Sequence, residues 1–114
     1  MLAFNVSIYI PNPEQAQDPK NSKIYRHEKT LASWTTPTTG VSIGWLDELE
    51  RQGKAEEVLS SGYPVRFTAH ARDVLPLLAG GSLFEKGSTP FLKPELIAAC
   101  PEDELLFIDA WDQS

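Results

Sequence analysis

The sequence predicts an α+β domain, a small mixed β-sheet with helices packed against it. Three observations carry that prediction. The N-terminal residues Leu2, Phe4, Val6, Ile8 and Ile10 alternate with Ala3, Asn5, Ser7 and Tyr9, the period of a strand with one buried face. The C-terminal run ELLFIDAW is apolar from Leu105 to Ile108 without alternation, as in a strand covered on both faces. Between them, Trp45, Leu46 and Leu49 recur at helical spacing, with Asp47, Glu48, Glu50 and Arg51 largely opposite. A chain of 114 residues fits one domain, 1–114, able to bury a core without a disulfide framework.

The elements follow in order. Residues 11–22, PNPEQAQDPKNS, carry three prolines and no aliphatic larger than alanine, which reads as a surface loop. Residues 23–34 are ambiguous between an irregular strand over 24–29, which we favour, and a short helix from about residue 28. Residues 35–40, TTPTTG, form a linker. Ser42 is a candidate N-cap for the helix that follows, and Asp47 and Glu48 suit its early turns, where the dipole favours negative charge. Gly53 ends or interrupts that helix, and residues 54–60 read as a short second one.

Gly62 and Pro64 then stop helical structure. Tyr63, Val65 and Phe67 alternate with Arg66 and Thr68, a half-buried strand. A helix opens at Thr68 or Ala69, with Ala71, Val74, Leu75 and Leu78 on its buried face, Pro76 weakening its last turn and Gly80-Gly81 ending it. The stretch after it is a loop with Leu83 and Phe84 pinned to the core. Pro94-Glu95 starts a short helix through Ala99, and Pro101 ends it. Asp109 and Asp112 flank Ala110-Trp111 at what should be the exposed end of the last strand.

The net charge is −6, and its distribution says more than its total. Residues 41–62 hold five acids and two bases, and residues 94–114 hold six acids and no base. Such a field does not attract nucleic-acid phosphates. No apolar run approaches the ~20 residues of a membrane helix. The N-terminus alternates and has neither a basic start nor a small-residue cleavage site, so no signal peptide is expected. The one cysteine, Cys100, fits a small buried hydrophobe, and nothing requires an oxidising compartment. These features point to the cytoplasm.

No catalytic constellation is legible. His27 and His70 are far apart, and there is no CxxC, HxH or HExxH spacing, so no metal is expected. Gly80-Gly81 lacks a following Lys-Ser/Thr, and GxGxxG and GxSxG are absent, so no cofactor or nucleophile elbow is expected. The paired acids Glu56-Glu57 and Glu102-Asp103-Glu104 admit a glycosidase reading, but charge runs are ordinarily solvated faces. His70, with Arg66 and Arg72, is the one candidate for a small enzyme or ligand-binding site. The acidic blocks have another reading. Trp45 beside Asp47 and Glu48, and Trp111 between Asp109 and Asp112, are aromatic residues ringed by carboxylates, suited to a basic protein partner. The core also explains Trp45, and we favour it there; for Trp111 both readings stand.

The run GWLDELERQGKAEEVLSSGYPVRFTAHARDVLPLL resembles an immunity family of bacterial polymorphic toxin and contact-dependent growth inhibition systems. Gly62-Tyr63-Pro64 leading to Thr68-Ala69, then Asp73-Val74-Leu75-Pro76, carries most of the likeness, and the ending IDAWDQS is compatible with it. The likeness covers roughly the last 75 residues. It implies a protein that binds one cognate toxin domain, often a nuclease with a basic cleft, and blocks it without catalysis. The expected contact residues are Glu102, Asp103, Glu104, Asp109, Trp111 and Asp112, and then Asp47, Glu48, Glu50, Glu56 and Glu57. The toxin's identity and the oligomeric state are not legible.

Overall fold

Valine, isoleucine and phenylalanine at alternate positions pair into strands when a second layer covers them. The computed structural model describes residues 4–20, 29–35, 44–60, 65–80 and 90–112. Its elements run β1 (Phe4–Tyr9), α1 (Pro13–Gln17), β2 (Thr30–Thr35), α2 (Gly44–Arg51), β3 (Ala55–Ser60), β4 (Val65–His70), α3 (Ala71–Gly80), β5 (Phe91–Leu92), α4 (Pro94–Ala99) and β6 (Leu105–Asp112). The six strands form one sheet in the order β3-β4-β6-β1-β2-β5.

The α+β class is as expected, but the sheet is antiparallel in all five described pairings, not mixed. The reason is the placement of β6. It enters between β1 and β4, so strands that run in the same direction are never neighbours. β1 pairs with β2, which occupies 30–35, beyond the 24–29 favoured from the sequence and ending on Thr35, which was read as linker. The strand expected over 24–29 lies outside the described residues apart from Lys29, as do Ser42, Gly62 and the Leu83-Phe84 pair.

Registers assign the faces. Ile8 opposes Ile108, Val6 opposes Ala110, and Phe67 opposes Ile108 from the other side. These residues, with Leu106 and Ala69, face α2, α3 and α4. Leu46 and Leu49 of α2, and Ala71, Val74 and Leu78 of α3, complete the core against them. Each large side chain here contributes about 2 kcal/mol by burial. Trp45 packs on this core beside Trp34, ring centroids 6.3 Å apart.

Residues 55–60 are strand β3, where the sequence predicts a second helix over 54–60. Gly53 adopts φ +76° and ends α2, its N–H bonding to Glu50 O at 2.9 Å and the Lys54 N–H to Leu49 O at 2.8 Å. This double closure is a glycine helix stop, and it turns the chain back along the sheet. AEEVLS has helix-forming composition, but pairing with β4 outweighs propensity.

β4 continues to His70, and α3 starts at Ala71, later than expected. The first N–H groups of α3 find their acceptors in the turn before β6, Ala71 N to Glu104 O at 2.9 Å and Arg72 N to Glu102 O at 3.0 Å.

The second face of the sheet carries Tyr9, Arg66, Thr68, Phe107 and Asp109, all buried. β4 is therefore covered on both sides, not half-buried. Much of the cover is the segment read as a bare loop. Asn12 caps α1, its Oδ1 accepting the Gln15 N–H at 2.8 Å, and Pro13 takes the first helical position. Gln15 is buried against Tyr9.

Candidate functional site

The carboxylates that were candidates for contact fall into two environments. The first is exposed. α2 presents Asp47, Glu48 and Glu50 to solvent, and the Gly53 turn brings Glu57 of β3 back beside them, while the exposed Glu56 projects from the opposite face of the strand. Glu50 Oε2 accepts the backbone N–H of Glu57 at 2.9 Å, which ties helix to strand. Partial burial pushes the Glu57 carboxyl up, and the charges of Glu50 and Asp47 push it in the same direction. Three carboxylates thus share one corner. Glu48 stands apart: Arg51 and Gln52 donate to it and hold its carboxyl below the usual range.

The other exposed acids lie in the turn between α4 and β6. Glu102 and Asp103 are exposed and Glu104 is half-buried. The backbone carbonyls of Glu102 and Glu104 accept from the first N–H groups of α3, which fixes this turn against the helix. The two blocks are distant in sequence but close in the fold. Ala55 opposes Ala69, and Ala69 opposes Leu106, so two strand spacings, about 10 Å, separate the start of β3 from the start of β6. An open depression of about 280 Å³ lies at this end of the sheet, lined by Lys54, Glu56, Thr68, His70 and Leu105.

Asp109 belongs to the second environment, and its expected place on the surface is overturned. It is 3% exposed and faces the covered side of the sheet. Arg66 grips it with two parallel bonds, Nε to Oδ1 at 2.7 Å and Nη2 to Oδ2 at 3.0 Å. The Tyr9 hydroxyl donates to Oδ2 at 2.8 Å, and Gln15 Nε2 donates to that hydroxyl at 3.3 Å. Arg66 Nη1 reaches Pro19 O at 3.1 Å, and the guanidinium lies 5.3 Å from the Phe107 ring centroid. Burial pushes the Tyr9 phenol up, and the Asp109 charge adds to that. Burial alone would lower the Arg66 value, but the hydrogen bonds and charge of Asp109 outweigh it and hold it up. The arrangement pins α1 and the following turn to the sheet. Trp111 is half-buried, and the Asp112 side chain lies outside the described residues.

The residues considered for a small-molecule site do not converge. Arg66 is committed to Asp109 beneath α1. His70 borders the open depression. Arg72 borders a different, mostly apolar groove of about 340 Å³ with Leu75, Pro76, Ala79, Ile97 and Glu102. Burial and the nearby Glu104 charge push the Cys100 thiol up, which keeps it protonated and a poor nucleophile. Among the described residues no group of three or more His, Cys, Asp or Glu is placed to hold a metal, and no helix is long and apolar enough to cross a membrane.

The Tyr9–Gln15–Arg66–Asp109 cluster went unread in the sequence, although a signal was present. Asp109 interrupts a strand whose apolar run implied cover on both faces, and a carboxylate there requires a partner. Comparison with protein-family models, curated proteins and solved structures finds no match to this chain.

Proposed function

We propose that this chain is an immunity protein that binds a cognate toxin domain and neutralises it through an acidic surface. The observation that supports this most is the convergence of two acidic blocks at one end of the sheet. Asp47, Glu50 and Glu57, with Glu56 on the opposite face of the same strand, form one half of that surface, and Glu102, Asp103 and Glu104 the other. Most of these side chains are exposed, so their field acts on a partner instead of being spent inside the fold. A nuclease cleft is basic because it holds phosphates, and carboxylates at matching positions occupy it by charge complementarity. Complementary charge also speeds encounter, which suits an inhibitor that must act before the toxin does.

A small-molecule site at His70 would need polar groups converging in an enclosed cavity. The depression at His70 is open, and the two arginines lie elsewhere, so the binding-protein reading has the better support.

The test is co-expression. The C-terminal domain of the immediately upstream gene product is produced in bacteria with and without this protein, and growth is followed. Rescue with a one-to-one complex on a sizing column is expected. Reversing the seven charges to lysine should abolish rescue and remove the salt dependence of affinity. A harmless neighbour, or a toxic one neither bound nor rescued, overturns the proposal. Unchanged affinity after charge reversal overturns the electrostatic mechanism alone.

A further inference from the structure

Resting on that reading, we propose that the free edge of β3 receives an extended strand of the partner bearing lysine or arginine side chains, which lengthens the sheet by one strand. Among the described residues β3 is the terminal strand of the sheet, six residues long, with β4 on one side only. The Glu57 N–H points away from β4, since it bonds to Glu50 instead. By the alternation of an antiparallel ladder, the Ala55 peptide groups point the same way. An edge of this kind pairs with another chain unless something prevents it.

Two devices on this edge choose among occupants. A bulge between Glu57 and Leu59 ends the regular part of the edge, so the regular pairing surface spans Ala55 to Glu57. Glu56 and Glu57 project to opposite faces of the sheet, so an incoming strand meets a carboxylate on each face. Cross-strand pairs of opposite charge stabilise such a contact, and pairs of like charge oppose it. A second copy of this chain would set β3 against β3 and bring these glutamates together. A strand with basic side chains on both faces satisfies them. It would also displace the Glu50 carboxylate from the Glu57 N–H and offer it a cation in exchange. The backbone then gives affinity and the carboxylates give selectivity, the usual division in strand addition.

The test uses the full chain labelled with 15N and a blocked eight-residue peptide that repeats Lys-Lys-Val-Val, which sets lysines on both faces of a strand. A control peptide has the same sequence but is N-methylated throughout, which keeps the charge and removes the donors. Binding of the first peptide should slow hydrogen exchange at the Ala55 and Glu57 amides at least ten-fold. The methylated peptide should bind at least ten-fold more weakly and protect neither amide. Glu57→Gln should weaken binding several-fold, and Glu57→Pro, which removes the outward N–H without touching the β4 ladder, should weaken it further. Equal binding of both peptides, or no protection at these amides, overturns the proposal. Protection that rises with protein concentration alone assigns the edge to a second copy, which overturns it as well. No toxin enters this experiment, so its failure leaves the immunity proposal standing with a different contact.

Discussion

Two arginine–carboxylate pairs occur in the described residues, and they are chemically alike but physically opposite. Arg66 and Asp109 have side chains 2% and 4% exposed, whereas Arg51 and Glu48 are 76% and 46% exposed. The buried pair joins residues 43 apart on adjacent strands and is completed by Tyr9, Gln15 and Pro19. The exposed pair joins residues three apart on one helix. Water screens the second pair and competes with it, so its formation and loss are nearly balanced. The first has no water to fall back on. Its value lies in the cost of leaving either partner alone, which is a statement about specificity more than about net stability.

The largest expected effect comes from separating the buried partners. Asp109→Ala leaves the Arg66 guanidinium buried without its carboxylate and should cost about 3–5 kcal/mol. That is a large share of a domain's total stability of ~5–15 kcal/mol. Replacing both, Arg66→Met with Asp109→Leu, removes the unpaired charge along with the pair and should recover most of the loss. Urea unfolding of the two variants decides this. Equal losses would mean that isolation of the arginine is not the cause.

A smaller effect is expected from Tyr9→Phe, which deletes one hydrogen bond to Asp109 and one from Gln15, at a cost of about 1–2 kcal/mol near neutral pH. Its pH dependence is more telling. Burial, then Asp109, hold the Tyr9 phenol above its ordinary value near 10. The unfolded chain therefore ionises first as the solution becomes alkaline. The contribution of this phenol is fully present below pH 10 and is lost as pH rises beyond it. Urea midpoints of wild type should fall between pH 9 and 11 more steeply than those of Tyr9→Phe. Parallel curves would contradict the buried environment assigned to this hydroxyl.

The smallest effect belongs to the exposed pair. Arg51→Gln should leave the unfolding midpoint unchanged within error, and any difference should vanish at high salt. A clear loss that survives high salt would show that exposure is not what separates the two pairs.

The contrast also marks the reach of sequence reasoning. Period located β1 and β6 well, because alternation and an unbroken apolar run are written along the chain itself. Pro94 and Pro101 bounded α4 for the same reason. AEEVLS misled, because its residues favour a helix and only the pairing with β4 makes it a strand. PNPEQ was read as loop, although Asn12 and Pro13 carry an N-terminal helix signal; one turn of helix persists there because Gln15 is held by Tyr9. Asp109 was grouped with the surface acids because local composition cannot report which face is covered.

What the chain's own residues determined was the α+β class, the two central strands and the position of most helices. Each depends on neighbours within a few positions and on the burial of an apolar face. The tertiary structure decided the rest. It placed β6 between β1 and β4, which made the described sheet antiparallel. It drew residues 9, 15, 66 and 109 into one buried cluster, and it set the Glu56 and Glu102 blocks at one end of the sheet. These are pairings between distant segments, and a charge carries no local mark of whether its partner will be water or another side chain.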